Sequence, residues 1–375
     1  MASLSFKKVT SIYPGQKGKD HHPVSELDLE IQDRELVVLV GPPDSGTSAV
    51  VRMLAGLDEV SKGDMFVGER RVNDLAPKDR DMAMVPQSYV PYPRMTVSDN
   101  LAFALTLRKF PKVEIKKRVL AAAGLLGLQE VLERKPDSLS AEQRQRVAIA
   151  RAIVLQPKAF LFDRAFATLE AKARTEMRNE LVKLHQRLQV TMIFATHDPI
   201  EAMAIGGRII VMHEGAIQQD GTGRSLYDQP ASVFVAEFLD PPMNLIQGTL
   251  KQDRDWMVFK ESEGGTIEVR LPISEFPGTR DRAGGLVFLG VRPGDIEVAE
   301  VTNTAEQASS RFPALIDAVE PTGRESNLYL QTGAHALVCR SRRQMDHQEA
   351  GHRSQFELNT KKVSLFDPAS RRRIT

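Results

Sequence analysis

The stretch VVLVGPPDSGTS at residues 37–48 constrains this chain more than any other. An apolar run, Val37 to Val40, suits a buried strand, Gly41 and Gly46 bracket a turn, and a helix is expected to open at Ser48. Backbone N–H groups of a glycine-rich turn at a helix N-terminus form a cradle for anions, and the helix dipole adds partial positive charge. The pattern G-x-x-x-x-G-K-[ST] is met at Gly41, Gly46 and Ser48, but its lysine slot holds Thr47. A lysine would bring full charge to the β- and γ-phosphates, worth about 4 kcal/mol for unit charges about 4 Å apart at an effective dielectric of about 20. Thr47 forfeits that attraction and Asp44 adds a carboxylate inside the loop, while Ser48 keeps the hydroxyl that binds Mg²⁺. Taken alone, the segment reads equally as a phosphate loop and as an ordinary strand–turn–helix corner.

The chain's 375 residues imply two or three domains. Lys+Arg 50 against Asp+Glu 49 leaves a net charge of +1, so no bulk field draws it onto nucleic acid or a membrane. A single cysteine, Cys339, excludes an internal disulfide and fits a reducing compartment. The start MASLSFKKVT lacks an apolar h-region, and no stretch approaches the roughly 18 apolar residues of a spanning helix. Membrane association is therefore expected only through a partner.

Further along come MAMVPQSYVPYPRMTVSDN (82–100), LSAEQRQRVAIARAIV (139–154), PKAFLFDRAFATLEAK (157–172) and TMIFATHDPIEAM (191–203). In order and spacing these resemble the Q-loop, signature, Walker B with D-loop, and switch-histidine segments of ABC transporter ATPase subunits. PKDRDMAMVPQ (77–87), GVRPGDIEV (290–298) and VSLFDPASRRRI (363–374) resemble the sugar-importer branch, the maltose- and glycerol-phosphate-type subunits. The resemblance covers essentially the whole chain. It implies an α/β P-loop NTPase core over 1–240, with a helical subdomain inserted at about 90–150, then an all-β, OB-like regulatory barrel over 241–375.

The residues themselves agree with that division. Segments 190–197 and 208–215 are continuous apolar runs, as for strands buried on both faces of a parallel sheet. After Pro241–Asn244 the pattern changes to short alternating strands: LIQGTLKQD, WMVFKES, TIEVRLP, GLVFLGVRP, LIDAVEP, NLYLQTG and ALVCRSR. His21 and His22 lie in a polar turn, and His347 and His352 in a polar stretch; solvated loops account for them better than metal sites do. Arg371 to Arg373 read as a solvated terminus.

The resemblance also implies a site. ATP phosphates would lie on Gly41, Asp44, Ser45, Gly46, Thr47, Ser48 and Ala49, with Mg²⁺ held by Ser48, Gln87 and Asp163, and His197 sensing the γ-phosphate. Tyr13 matches the aromatic that stacks on adenine, though a plain strand aromatic accounts for it equally. The catalytic glutamate's position is Arg164, whose guanidinium cannot be deprotonated and so cannot act as a general base. The D-loop reads Ala167, Thr168, Leu169, Glu170. The signature reads Leu139, Ser140, Ala141, Glu142, Gln143, where Glu142 puts bulk and negative charge in place of glycine. Ser140-x-x-Gln143 is also a capping box, so a helix is expected there whatever the chemistry.

The family's lysine and glutamate sum to zero charge, as do Thr47, Arg164 and Asp44. Arg164 would then either reach the γ-phosphate from the opposite side or pair with Asp44 and close the site. Three functions follow: an ATPase subunit of a carbohydrate importer, a pseudo-ATPase that keeps fold and docking surface, and a soluble regulator outside transport. The third is the weakest, because YPRMTVSDN belongs to the surface that meets the transporter. The implied partners are integral membrane permease subunits, a homodimeric or heterodimeric ATPase mate and an extracytoplasmic solute-binding protein, with no nucleic acid. The implied location is the cytoplasmic face of the plasma (inner) membrane.

Overall fold

A computed structural model describes residues 2–13, 21–88, 91–240, 242–299, 310–343, 345 and 347–374. The chain forms two compact units, Met1–Gly223 and Arg224–Thr375.

In the first unit, β1 (Leu4–Tyr13) and β2 (His21–Ile31) pair antiparallel, with exposed His21 and His22 opening β2. After β3 (Leu36–Val40) and helix α1 (Thr47–Ala55), strands β4 (Lys62–Val67) and β5 (Arg70–Arg71) complete the sheet β2-β1-β4-β5. The second sheet runs β10-β9-β3-β8-β7-β6. Its remaining strands are β6 (Met82–Val85), β7 (Ala159–Asp163), β8 (Thr191–Thr196), β9 (Arg208–His213) and β10 (Ala216–Thr222). Only β10 pairs antiparallel; the neighbours from β9 to β6 are parallel. Every residue of β3 and β8 is buried, which is why both read as unbroken apolar runs. Gly41, Asp163 and His197 therefore emerge at the carboxyl ends of adjacent parallel strands, where open α/β sheets bind ligands.

Between β6 and β7 the chain is helical, with α2 (Val97–Leu107), α3 (Lys112–Leu125) and α4 (Ala141–Ile153). Thr96 with Asp99 and Ser140 with Gln143 form reciprocal capping boxes at α2 and α4. Helices α5 (Ala171–Leu188) and α6 (Pro199–Ile205) complete the unit.

The far end of α1 is held by Arg80, which is 5% exposed. Its guanidinium donates to the carbonyls of Met53 (2.6 Å), Leu54 (3.2 Å), Leu75 (2.9 Å) and Asn73 (2.9 Å). Helix C-termini leave carbonyls without intrahelical partners, and Arg80 satisfies two of them. Burial pushes its pKa below the usual arginine value. The Met53 carbonyl also accepts from the Gly56 amide at 3.1 Å, so Arg80→Ala strands the other three acceptors and should cost roughly 2–3 kcal/mol in urea unfolding; an unchanged midpoint would contradict this account.

The second unit carries α7 (Gly223–Asp228), which begins at the division, and α8 (Val233–Leu239), followed among the described residues by ten strands. These are β11 (Asn244–Asp253), β12 (Trp256–Glu261), β13 (Glu268–Pro272), β14 (Leu286–Val291) and β15 (Ile296–Val298). Then come β16 (Arg311–Pro321), β17 (Ser326–Gln331), β18 (Ala336–Ser341), β19 (Arg353–Leu358) and β20 (Ser364–Phe366). They make two five-stranded sheets, β13-β12-β11-β14-β20 and β15-β19-β16-β17-β18. One core that includes Phe259, Leu289, Phe312 and Phe356 fills the barrel-like space between them. Strands β15, β19 and β20 lie outside the set expected from alternation. Cys339 is buried in this core, and burial pushes its thiol up to about 12.

The division falls earlier than the expected boundary at 240/241. Val233 and Ala236 of α8 bury against Met243 and Phe366, and the Val233 amide donates to the Arg371 carbonyl at 3.0 Å. Segment 224–240 thus belongs to the barrel's unit. Residues 224–375 should unfold cooperatively, and a 245–375 fragment, stripped of α8, should melt at clearly lower temperature. Equal midpoints in thermal circular dichroism would contradict that assignment.

Candidate functional site

Helix α1 opens at Thr47, one residue before the sequence suggests, with Gly46 as its N-cap at φ 98°. A Cβ on Gly46 would lie 2.1 Å from the Pro23 carbonyl oxygen, and one on Gly41 would lie 2.2 Å from that of Met212. Both positions therefore require glycine for close backbone packing. Asp44 is exposed and left-handed at φ 64°. Ser45 is 2% exposed, and its Oγ has no hydrogen-bond partner among the described residues. Thr47 is 6% exposed: the lysine slot carries a short, inward-packed side chain with no charge to offer.

Ser48 Oγ donates to Asp163 Oδ1 at 2.6 Å, so the loop and the end of β7 meet directly. Burial raises the Asp163 pKa, with the Ser48 hydroxyl and the neighbouring Arg164 charge opposing it. Gln87, just beyond β6, is half-buried, and His197, just beyond β8, is exposed; neither has a hydrogen-bond partner among the described residues. The Ser48 hydroxyl and the Asp163 carboxylate bring two oxygen donors together, a ligand type that suits Mg²⁺. A carboxylate penalised by burial likewise fits a position awaiting a cation.

Arg164 sits one residue past β7 with φ 49°, its amide bonded to the Ala195 carbonyl at 2.9 Å. Its Nε is buried without an acceptor. No ion pair within 4.0 Å joins it to Asp44 or to any other carboxylate among the described residues. Of the two roles open from the sequence, closure by an Arg164–Asp44 pair is not formed.

Ser140 and Gln143 cap α4 and make no hydrogen bond to residues 41–49. Glu142, expected to put bulk and negative charge at the signature, is ion-paired along its own helix. Its carboxylate folds back along α4 to Arg146 at 2.8 Å, and Arg146 Nε lies 3.1 Å from Glu180. The cause is helical spacing, which places residues four apart on one face. Tyr13 donates its hydroxyl to Asp58 at 2.6 Å, and Asp58 also takes both arms of Arg52 at 2.8 Å. Burial and then the Asp58 carboxylate raise the Tyr13 pKa.

Two neighbours of the site escape motif reading. Arg174 donates to the Leu169 carbonyl at 3.0 Å and lies 3.7 Å from Asp198, tying the D-loop segment to the residue beside His197. Glu201, buried, accepts from Thr196 at 2.5 Å, and burial raises its pKa. The available signal was Asp198-Pro199, an N-cap followed by proline: Asp198 Oδ1 caps Ile200 N at 2.9 Å and opens α6.

Residues 24–167 match the ABC transporter family, and residues 240–296 match the MalK OB fold domain. Over 378 residues the chain is 42% identical to the oligosaccharides import ATP-binding protein MsmX of Bacillus subtilis, covering 100% of both chains. The chain belongs to the ABC transporter ATP-binding proteins of sugar-importer type. It is also 42% identical to the ABC transporter ATP-binding protein YurJ of Bacillus subtilis, over 98% of each chain. With y4oS of Sinorhizobium fredii it shares 43% identity over 100% of this chain and 95% of that protein. Among solved structures, the ATP-binding cassette MJ0796, in a dimeric post-hydrolysis state bound to ADP and Pi, aligns with TM-score 0.52 at 27% identity. The alignment covers 59% of this chain and 99% of the cassette. Within this family the first unit is the ABC ATPase fold, and its departures are Thr47, Arg164 and the Ala141–Glu142 pair.

Proposed function

We propose that this protein is the ATP-binding subunit of an ABC importer for carbohydrates or related solutes, coupling nucleotide binding to transport through membrane partners, with hydrolysis impaired. The observation that carries the reading is the Ser48–Asp163 contact at 2.6 Å, which holds two oxygen ligands ready at the phosphate loop. Residues 41–49 would cradle the phosphates through backbone N–H groups, and Tyr13 would carry the adenine. Ser48, Asp163 and Gln87 would hold Mg²⁺, which supplies charge neutralisation to the phosphates. His197 would report the γ-phosphate. Ser140 and Gln143, which make no hydrogen bond to their own loop, suit contact with nucleotide held by a second ATPase subunit.

The remaining partners would be permease subunits and an extracytoplasmic solute-binding protein, at the cytoplasmic face of the plasma (inner) membrane. No helix among the described residues is long and apolar enough to cross a membrane, which is consistent with attachment through partners. Co-expression with the cognate permease pair tests the reading: the chain should co-purify in detergent and support solute uptake. A chain that never associates with permease would contradict it.

A second reading is favoured by where the departures fall. One chain carries them at both Thr47/Arg164 and Ala141/Glu142, so in a homodimer every shared site would contain all of them. A pseudo-ATPase that serves as structural or regulatory mate of an intact homologue answers that arrangement. Uptake that appears only when an intact homologue is co-expressed would select it.

A further inference from the structure

Arg164 is a half-buried cation whose guanidinium has no ion pair within 4.0 Å and no side-chain hydrogen bond among the described residues, the adjacent Asp163 carboxylate being the one that feels its charge. Among the described residues Arg164, Arg174 and Arg178 have a buried Nε with neither a hydrogen-bond nor an ion-pair partner. Two of them are served through their outer nitrogens: Arg174 by the Leu169 carbonyl at 3.0 Å and Arg178 by Thr175 at 2.9 Å. Among the described residues Arg164 has no such partner. The backbone is also strained, since φ 49° is a left-handed value that arginine rarely adopts. Both features fall at the carboxyl end of β7, beside the Asp163 that holds Ser48 of the phosphate loop. Thr47 leaves that same loop short of a cation.

We propose that Arg164 recognises the terminal phosphate of a nucleoside triphosphate, supplying from the strand side the charge that the loop lacks at Thr47. The inference rests on the reading of this site as a nucleotide site and adds a specificity to it. A planar guanidinium fork matches the oxygens of a phosphate and forms charge-assisted, bidentate bonds with them. If the fork meets only the terminal phosphate of a triphosphate, a diphosphate lacks the group that it binds, and the site should discriminate by phosphate number rather than by base.

The test is equilibrium binding of MgATP and MgADP, by calorimetry on the full chain, for the unmodified protein, Arg164→Ala and the volume-conserving Arg164→Gln. The unmodified protein should bind ATP at least about tenfold more tightly than ADP. Both variants should lose ATP affinity by about that factor and keep their ADP affinity. Thermal melts of all three proteins establish that each is folded. Equal ATP and ADP affinities in the unmodified protein, or a preference that survives both substitutions, would overturn the role of Arg164 while leaving the nucleotide site intact. Failure of the unmodified protein to bind either nucleotide would overturn the site reading and this inference together.

Discussion

The purified protein should release phosphate from ATP at close to the uncatalysed rate. A positioned acid–base group is typically worth about 10²–10⁴-fold, and charge neutralisation at the phosphates contributes further. The loop's own lysine charge and the basic carboxylate are both replaced here, and Arg164 can return charge to the phosphates but cannot return a base. Thr47 packs inward where the loop's cation would extend, and Arg164 occupies the base's position with a side chain that cannot accept a proton. The Ser48–Asp163 pair keeps the oxygen donors for Mg²⁺, so the expected loss lies in turnover rather than in the metal's ligand set. Phosphate release measured on protein and on Asp163→Asn in parallel should give the same low rate. Robust Mg²⁺-dependent release that Asp163→Asn abolishes would contradict the expectation.

Rebuilding the site should restore activity in a non-additive way. Thr47→Lys alone should raise ATP affinity by about tenfold with little turnover, because affinity follows cradle charge while turnover needs a carboxylate. Combining it with Arg164→Glu and Asp44→Gly should raise turnover by about 100-fold or more, since groups that act as a unit contribute far less singly. The Asp44 change also relieves a left-handed backbone at φ 64°, which glycine adopts freely. Calorimetry that stays flat after Thr47→Lys, or turnover gains that simply multiply from one single variant to the next, would count against this view.

Much of the site's frame was legible because it depends on local or strictly periodic signals. The unbroken apolar runs of β3 and β8, the glycines at 41 and 46, and the Ser140–Gln143 capping box each carry their structural cause within a few residues. The turn of Glu142 onto Arg146 was present in the sequence as four-residue spacing, yet the signature's family role drew the reading toward phosphate instead. The Tyr13–Asp58–Arg52 group was not legible, because it joins a strand end to the segment after α1 through tertiary packing alone. The same holds for α8, whose apolar face states that it packs but not against which unit. Strands β15 and β20 have three residues each, too short for alternation to register, and β19 begins inside a polar stretch. That Arg164 and Asp44 form no ion pair required the fold, since the charges alone allowed one.

The central claim is that this site holds ATP and leaves it intact. It is tested most directly by incubating radiolabelled MgATP with an excess of the protein, isolating the bound fraction and identifying the nucleotide in it. The account predicts that the bound label is recovered as ATP after many minutes; recovery as ADP and inorganic phosphate would contradict it.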